Sequence, residues 1–169
     1  MAAKASKRYR KALGLVDAAP LLCAGITVFA PLRRAGNVAG KTVAVAGMGG
    51  LGHLAVRMAA AMGAHVVAIL RGQGKAEFAR KMGAHEIIDS EREKIGRALT
   101  RMGGADLILV TGISAKLFEQ CIPGLGPNGT MVLLSAVAEN ASILPAGLLT
   151  GQKRIMGSLI GTRDDMDAM

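Results

Sequence analysis

The sequence predicts an α/β fold in which a helical N-terminal lead-in is followed by a doubly wound, six-stranded parallel sheet. Three observations predict it. From Lys41 onward, short β-branched runs alternate with longer helical ones, the pattern of parallel crossovers. Each short run is nearly all apolar, as strands covered on both faces require. The 23 glycines cluster where strands would meet helices. The chain is 51% apolar but only 2% aromatic, so its core has to be built from Ala, Val, Ile, Leu and Met.

The elements follow in order. Apolar residues 18–32, bracketed by Pro20 and Pro31, read as a buried helix too short to span a bilayer, which needs about eighteen residues. Thr42–Ala46 is the first strand. Residues 52–62 form a helix with Leu54, Met58 and Ala61 at helical spacing. Residues 66–70 are the second strand, and the helix 75–82 is stopped by Gly83. A short third strand at 86–88 and a helix at 91–102 come next. The fourth strand is Ala105–Val110, and the helix Ala115–Cys121 ends before Pro123. Residues 130–134 make the fifth strand, Pro145–Leu149 a helical turn, and 154–160 the sixth strand. Residues 163–169 look like the first turns of one more helix.

At 169 residues there is room for one domain of ordinary size. Its expected divisions are a basic tail over 1–16, a linking helical segment over 17–40, a sheet domain over 41–161 and a helix start over 162–169. The charge of +9 is uneven: Lys4, Lys7, Arg8, Arg10 and Lys11 precede the first acid, Asp17. Such a tail reads as solvated. The scarcity of aromatics and the lack of a nucleic-acid motif argue against a nucleic-acid partner. The acid-free composition is shared with transit peptides, although only one serine falls within the tail. Cys23 and Cys121 are far apart with no CxxC, so no disulfide framework is implied and a reducing, cytoplasmic setting is expected, with no membrane span.

The strand Thr42–Ala46 runs directly into Gly47, Met48, Gly49, Gly50, Leu51 and Gly52. This is G-x-G-x-x-G between a strand and a helix, the dinucleotide-binding pattern of a Rossmann fold. Gly47 permits the tight turn, Gly49 lets backbone approach a pyrophosphate, and Gly52 allows close packing of helix on strand. The helix start then offers N–H groups and a positive dipole end to phosphates. An acid closing the second strand would bind ribose hydroxyls and favour NAD. Leu70 followed by Arg71 stands there instead, and a guanidinium fork matches a 2′-phosphate, so NADP is favoured over NAD. Arg71 as a plain surface charge would leave that choice open.

Several ordered motifs resemble the zinc-dependent medium-chain alcohol dehydrogenases, particularly the cinnamyl-alcohol and microbial branch. They are Ala18 through Val28, Gly40 through Val45, Gly47 through Leu54, Ala79 through Ala84, Gly129 through Leu134 and Gly157 through Gly161. The resemblance implies that Cys23 matches a catalytic-zinc cysteine and Thr27 a threonine beside the nicotinamide. It places Lys75 at the adenosine ribose, and Thr111, Ser135 and Ala136 at strand ends lining the nicotinamide pocket. It puts Ile160 where a backbone N–H holds the carboxamide. It further implies that the last strand pairs across a twofold axis, giving a homodimer through 154–160, where Ile155, Met156, Leu159 and Ile160 are apolar.

The chain departs from the family where the chemistry lies. The other zinc cysteine, the Gly-His-Glu segment and the four-cysteine structural lobe of the family have no counterpart in these residues. A catalytic zinc needs three protein ligands, and one thiolate cannot make that site. Cys23 then reads as a free thiol, Cys121 as a core residue, and His53, His65 and His85 as surface or capping residues. The methionines read as core filler. The expectation is a coenzyme-binding part of a dehydrogenase that holds NADP(H) or NAD(H) without turnover by itself. The alternative is a dinucleotide-binding or dimerisation module with no chemistry.

Overall fold

The computed structural model describes residues 14–169, so most of the expected basic tail lies outside the described residues. Six parallel strands stand in the order β3-β2-β1-β4-β5-β6. They are β1 Thr42–Ala46, β2 His65–Leu70, β3 Glu86–Asp89, β4 Ala105–Val110, β5 Leu125–Leu133 and β6 Arg154–Gly157. The helices are α1 Leu15–Ala18, α2 Ala24–Arg34, α3 Gly50–Ala61, α4 Ala76–Lys81, α5 Ile95–Arg101, α6 Ala115–Cys121, α7 Pro145–Leu149 and α8 Arg163–Ala168. The expected doubly wound architecture is therefore present.

Alternation along the strands sorts side chains onto two faces. Val43, Val45, Val66, Ala68, Leu107 and Leu109 pack with Val28 and Leu32 of α2 and Ala55, Val56 and Ala59 of α3. Ala44, Val67, Ile69, Ile108 and Met131 pack with Ile95 and Leu99 of α5 and Phe118 and Cys121 of α6. The chain winds in opposite directions from β1, so the strand order reverses between β1 and β4. Crevices at such reversals are where open α/β sheets take ligands.

The structure corrects six expectations. The lead-in is not one buried helix: it breaks at Cys23 with a bend of 51°, and Leu22 is exposed. Pro20 starts a 3-10 turn over Ala19–Leu22, and Pro31 lies inside α2, where burial of Val28, Ala30 and Leu32 outweighs one missing N–H. The helix expected from residue 91 begins at Ile95, because Asp89 draws the preceding backbone into a turn. Its side chain accepts from the Glu91 N–H, and its carbonyl from those of Arg92 and Glu93. Strand β5 starts at Leu125, with a register shift where Gly126 to Gly129 bulge opposite β4. Strand β6 ends at Gly157, not at residue 160, because its neighbour β5 ends at Leu133 and Ser158 makes the last bond to it. β6 is also mostly exposed, so coverage on both faces does not extend to that edge. Lastly, methionine is core filler only in part: Met48 and Met131 are buried, while Met102 and Met156 are exposed.

Beyond β6 the chain returns to α2, with Gly161 against Ile26 and Ala30. Thr162 and Asp165 then form a capping box at the start of α8. The Asp165 carboxylate also meets Arg33 at 2.9 Å and Arg34 at 3.0 Å. The Thr162 backbone N–H, then the Thr162 hydroxyl and the two guanidinium groups, hold its pKa down at about 2. A depressed carboxylate stabilises the fold fully above its unfolded value of 3.8 and loses that contribution as pH falls through about 2. Asp165→Asn is therefore expected to lower the urea midpoint at pH 7. The deficit shrinks between pH 4 and pH 2, and a deficit independent of pH would contradict the clamp.

Among the described residues, no single helix is long and apolar enough to cross a membrane. One bent pair, Val16–Leu22 with Ala24–Arg34, meets the requirement by length and composition only.

Candidate functional site

The reversal between β1 and β4 opens onto the glycine turn. Gly47 has φ 105°, a left-handed conformation that side chains strain to adopt. The Thr111 and Gly112 N–H groups both donate to the Ala46 carbonyl, and the Thr111 hydroxyl lies 3.0 Å from the Gly47 carbonyl oxygen. A Cβ on Gly52 would stand 1.9 Å from that same oxygen, so the first turn of α3 presses on the turn itself. At Gly49 and Gly50 a Cβ would meet nothing within 4 Å. Backbone at these two positions is thus bare toward open space, as a site for an approaching phosphate requires. Helix α3 is twelve residues long, has no acid in its first turn and has no side-chain cap. The N–H groups at its start, among them those of Gly50, Leu51 and Gly52, have no partner within the helix. Leu51 itself packs on the core beneath them. From outside, Lys75 Nζ donates to the Met48 carbonyl at 2.9 Å and steadies the turn.

A cleft of about 450 Å³ lies beside this turn and is lined by Gly47, Leu70, Arg71, Glu91, Ser114 and Lys116, among others. Leu70 is buried, so β2 presents no polar side chain at its end. Arg71 is exposed and pairs with Glu91, Nε to Oε1 at 3.2 Å. The carboxylate that organises this corner is Asp89, opposite Leu70 in the parallel register. Asp89 is buried and accepts from the Gly72 N–H at 2.9 Å, Gln73 Nε2 at 3.0 Å and the Glu91 N–H at 3.0 Å. These bonds, Gln73 first, hold its carboxyl below the ordinary range. Sequence reasoning missed Asp89 and Glu91. The available signal was an acid ending the strand after the glycine-loop unit, and its meaning depended on the β2–β3 register.

The other expected residues are dispersed. Thr111 joins the glycine turn, and Ser135 Oγ donates to the Gly112 carbonyl at 2.6 Å, while Ala136 is exposed beyond it. Thr27 is buried, and its hydroxyl donates to the Cys23 carbonyl at 2.8 Å. Ile160 is exposed beyond the end of β6. None of Thr27, Ser135, Ala136 and Ile160 is among the residues that line the cleft. Cys23 is an exposed free thiol at the α2 break. No three metal-ligating side chains come together among the described residues, so these residues do not fit a zinc ion by themselves. Cys121 is core, and burial pushes its thiol up to about 12. His53 Nδ1 lies 3.0 Å from the Gly49 carbonyl, and His85 Nδ1 accepts from the Val66 N–H at 2.9 Å, so both act on local backbone.

A family model described as zinc-binding dehydrogenase matches residues 50–169, from the start of α3 through α8. The chain belongs to that family. Its relatives include the alcohol dehydrogenase patD of Aspergillus clavatus, 46% identical over 137 residues, covering 81% of this chain and 35% of that one. Among solved structures, a cinnamyl alcohol dehydrogenase of Sorghum bicolor superposes with a TM-score of 0.78 at 34% identity, over 89% of this chain and 43% of that one. A structure from Sinorhizobium meliloti described as a zinc-binding dehydrogenase bound to NADP gives 0.77 at 27%, over 88% and 45%. The chain spans less than half the length of each of these relatives. What it shares with the two solved structures is the Rossmann-type parallel sheet.

Proposed function

We propose that this stretch is the coenzyme-binding part of an alcohol dehydrogenase and takes a nicotinamide dinucleotide, NADP in preference to NAD. The observation that carries the reading is the glycine turn at the strand-order reversal, with open space over Gly49 and Gly50 and unpartnered N–H groups behind them. When bound, the coenzyme supplies the hydride chemistry between an alcohol and its aldehyde. The residues here bind and orient. The start of α3 holds the pyrophosphate, Lys75 fixes the turn and reaches toward the adenosine ribose, and Arg71 meets the 2′-phosphate. Thr111, Ser135, Ala136, Thr27 and the Ile160 backbone line the nicotinamide side. Cys23 would be one ligand of a zinc whose remaining ligands lie elsewhere. The NADP-bound relative supports a nicotinamide coenzyme in the family.

Calorimetric titration with NADPH, NADH and ADP-ribose tests this. Failure of all three to bind at millimolar concentration would sink it. Arg71→Ala is expected to weaken NADPH about tenfold, a typical value for one charge-assisted pair, while changing NADH less than about twofold. A homodimer through β6 is part of the proposal, supported by the open edge and by exposed Met156, Leu159 and Ile160.

A further inference from the structure

The cleft rim carries a charge arrangement that coenzyme binding alone does not require. Arg71 and Glu91 come from two different strand-to-helix connections, after β2 and after β3. One atom ties those connections together: Asp89 Oδ1 accepts both the Gly72 N–H at 2.9 Å and the Glu91 N–H at 3.0 Å. The residue following Arg71 and the backbone of Glu91 are thus pinned to the same oxygen. The two side chains then meet at 3.2 Å, and both line the cleft. Arg71 is engaged through Nε, which leaves its two terminal nitrogens, in the same guanidinium plane, for another acceptor.

From this geometry we propose that Glu91 selects between coenzymes, as a carboxylate that competes with the adenosine 2′-phosphate for Arg71. The inference rests on the dinucleotide reading above and concerns only the group on the adenosine 2′ position. A 2′-phosphate brings a charge of about −1.5 to −2. Beside Glu91 it meets a like charge, and it gains Arg71 only by displacing or sharing that partner. A 2′-hydroxyl meets no such repulsion. Arg71 and Glu91 side chains are 88% and 56% exposed, so their mutual pair is weak and a dianionic phosphate can outcompete it. Glu91 therefore attenuates the preference for a phosphorylated ribose without abolishing it. Asp89 is the positioning residue of this device, because it sets the two connections side by side.

The test compares 2′,5′-ADP with ADP-ribose as calorimetric ligands of the full chain, for the wild type, Glu91→Gln, Arg71→Ala and the double variant. Glu91→Gln is expected to tighten 2′,5′-ADP about five- to tenfold at low salt, with ADP-ribose changing less than about twofold. The gain falls in 0.5 M salt and disappears on an Arg71→Ala background. Equal change for both ligands, or no change for either, would overturn the selection role. A gain that persists without Arg71 would overturn the competition for it. Failure of the wild type to bind ADP-ribose, 2′,5′-ADP, NADPH and NADH alike would overturn the underlying dinucleotide reading as well. Retained ADP-ribose binding by Glu91→Gln shows that the variant is folded.

Discussion

Gly52→Ala is expected to destabilise the chain by about 3 kcal/mol, the upper end of what overpacking costs, and to abolish dinucleotide binding. The added methyl carbon would stand 1.9 Å from the Gly47 carbonyl oxygen and 2.8 Å from its carbon. Both atoms are backbone, so no rotamer change relieves the clash. Gly47 is held in place by its own bonds: its N–H donates to the Ile69 carbonyl at 3.0 Å and its carbonyl accepts from the Thr111 hydroxyl at 3.0 Å. The whole start of α3 has to lift from the turn, which removes the N–H cradle with it. Gly49→Ala is the control. Its methyl would enter open space in an extended conformation, φ −93° and ψ −155°, so stability is expected to stay within about 1 kcal/mol while ADP-ribose binding is lost. Urea unfolding of the two variants beside ADP-ribose titration separates the roles. A Gly52→Ala chain as stable as the wild type would refute the packing account.

Leu109→Ala is expected to cost about 2–5 kcal/mol, as truncation of a fully buried leucine does. Leu109 lies on β4 between Val45 of β1 and Val132 of β5, and it has no exposed surface. It belongs to the face packed by α2 and α3, whose contacts are mostly alanine and valine. Such short side chains have little reach with which to refill a cavity. Against a total stability of about 5–15 kcal/mol this is a large fraction. The thermal midpoint is expected to fall roughly 2–4 °C for each kcal/mol lost. Leu149→Ala, at a leucine 82% exposed, is the matched surface change and is expected to shift stability by no more than about 0.5 kcal/mol. Equal effects at the two positions would contradict the assignment of the core.

The parts legible in the sequence were those set by local periodicity. β1, β4, α6 and α7 have the expected bounds because each is a dense apolar or helical run closed by glycine or proline. The glycine turn was legible because Gly47 and Gly52 answer steric demands within six residues, with Gly49 leaving open space between them. What was not legible depends on neighbours far along the chain. β6 stops at Gly157 because β5 ends, although the apolar pattern continues to Ile160. α5 starts late because the Asp89 carboxylate and carbonyl collect the N–H groups of Glu91, Arg92 and Glu93. Asp89 and Glu91 matter only because β3 lies beside β2, so a search confined to the end of β2 found Arg71 and passed over its partner. Cys23 was singled out by family resemblance alone; the helix breaks there, and among the described residues no group of three metal-ligating side chains forms.

The Asp165 clamp has a consequence for how this fold can be shared among proteins. Arg33 and Asp165 are 132 positions apart yet joined at 2.9 Å. The segment between them leaves and returns at one place, over α2. Its two ends are therefore adjacent, the geometry in which a stretch of fold tolerates exchange as a unit. A segment exchanged there is expected to dock only if the arginine pair and the carboxylate stay in register across the seam.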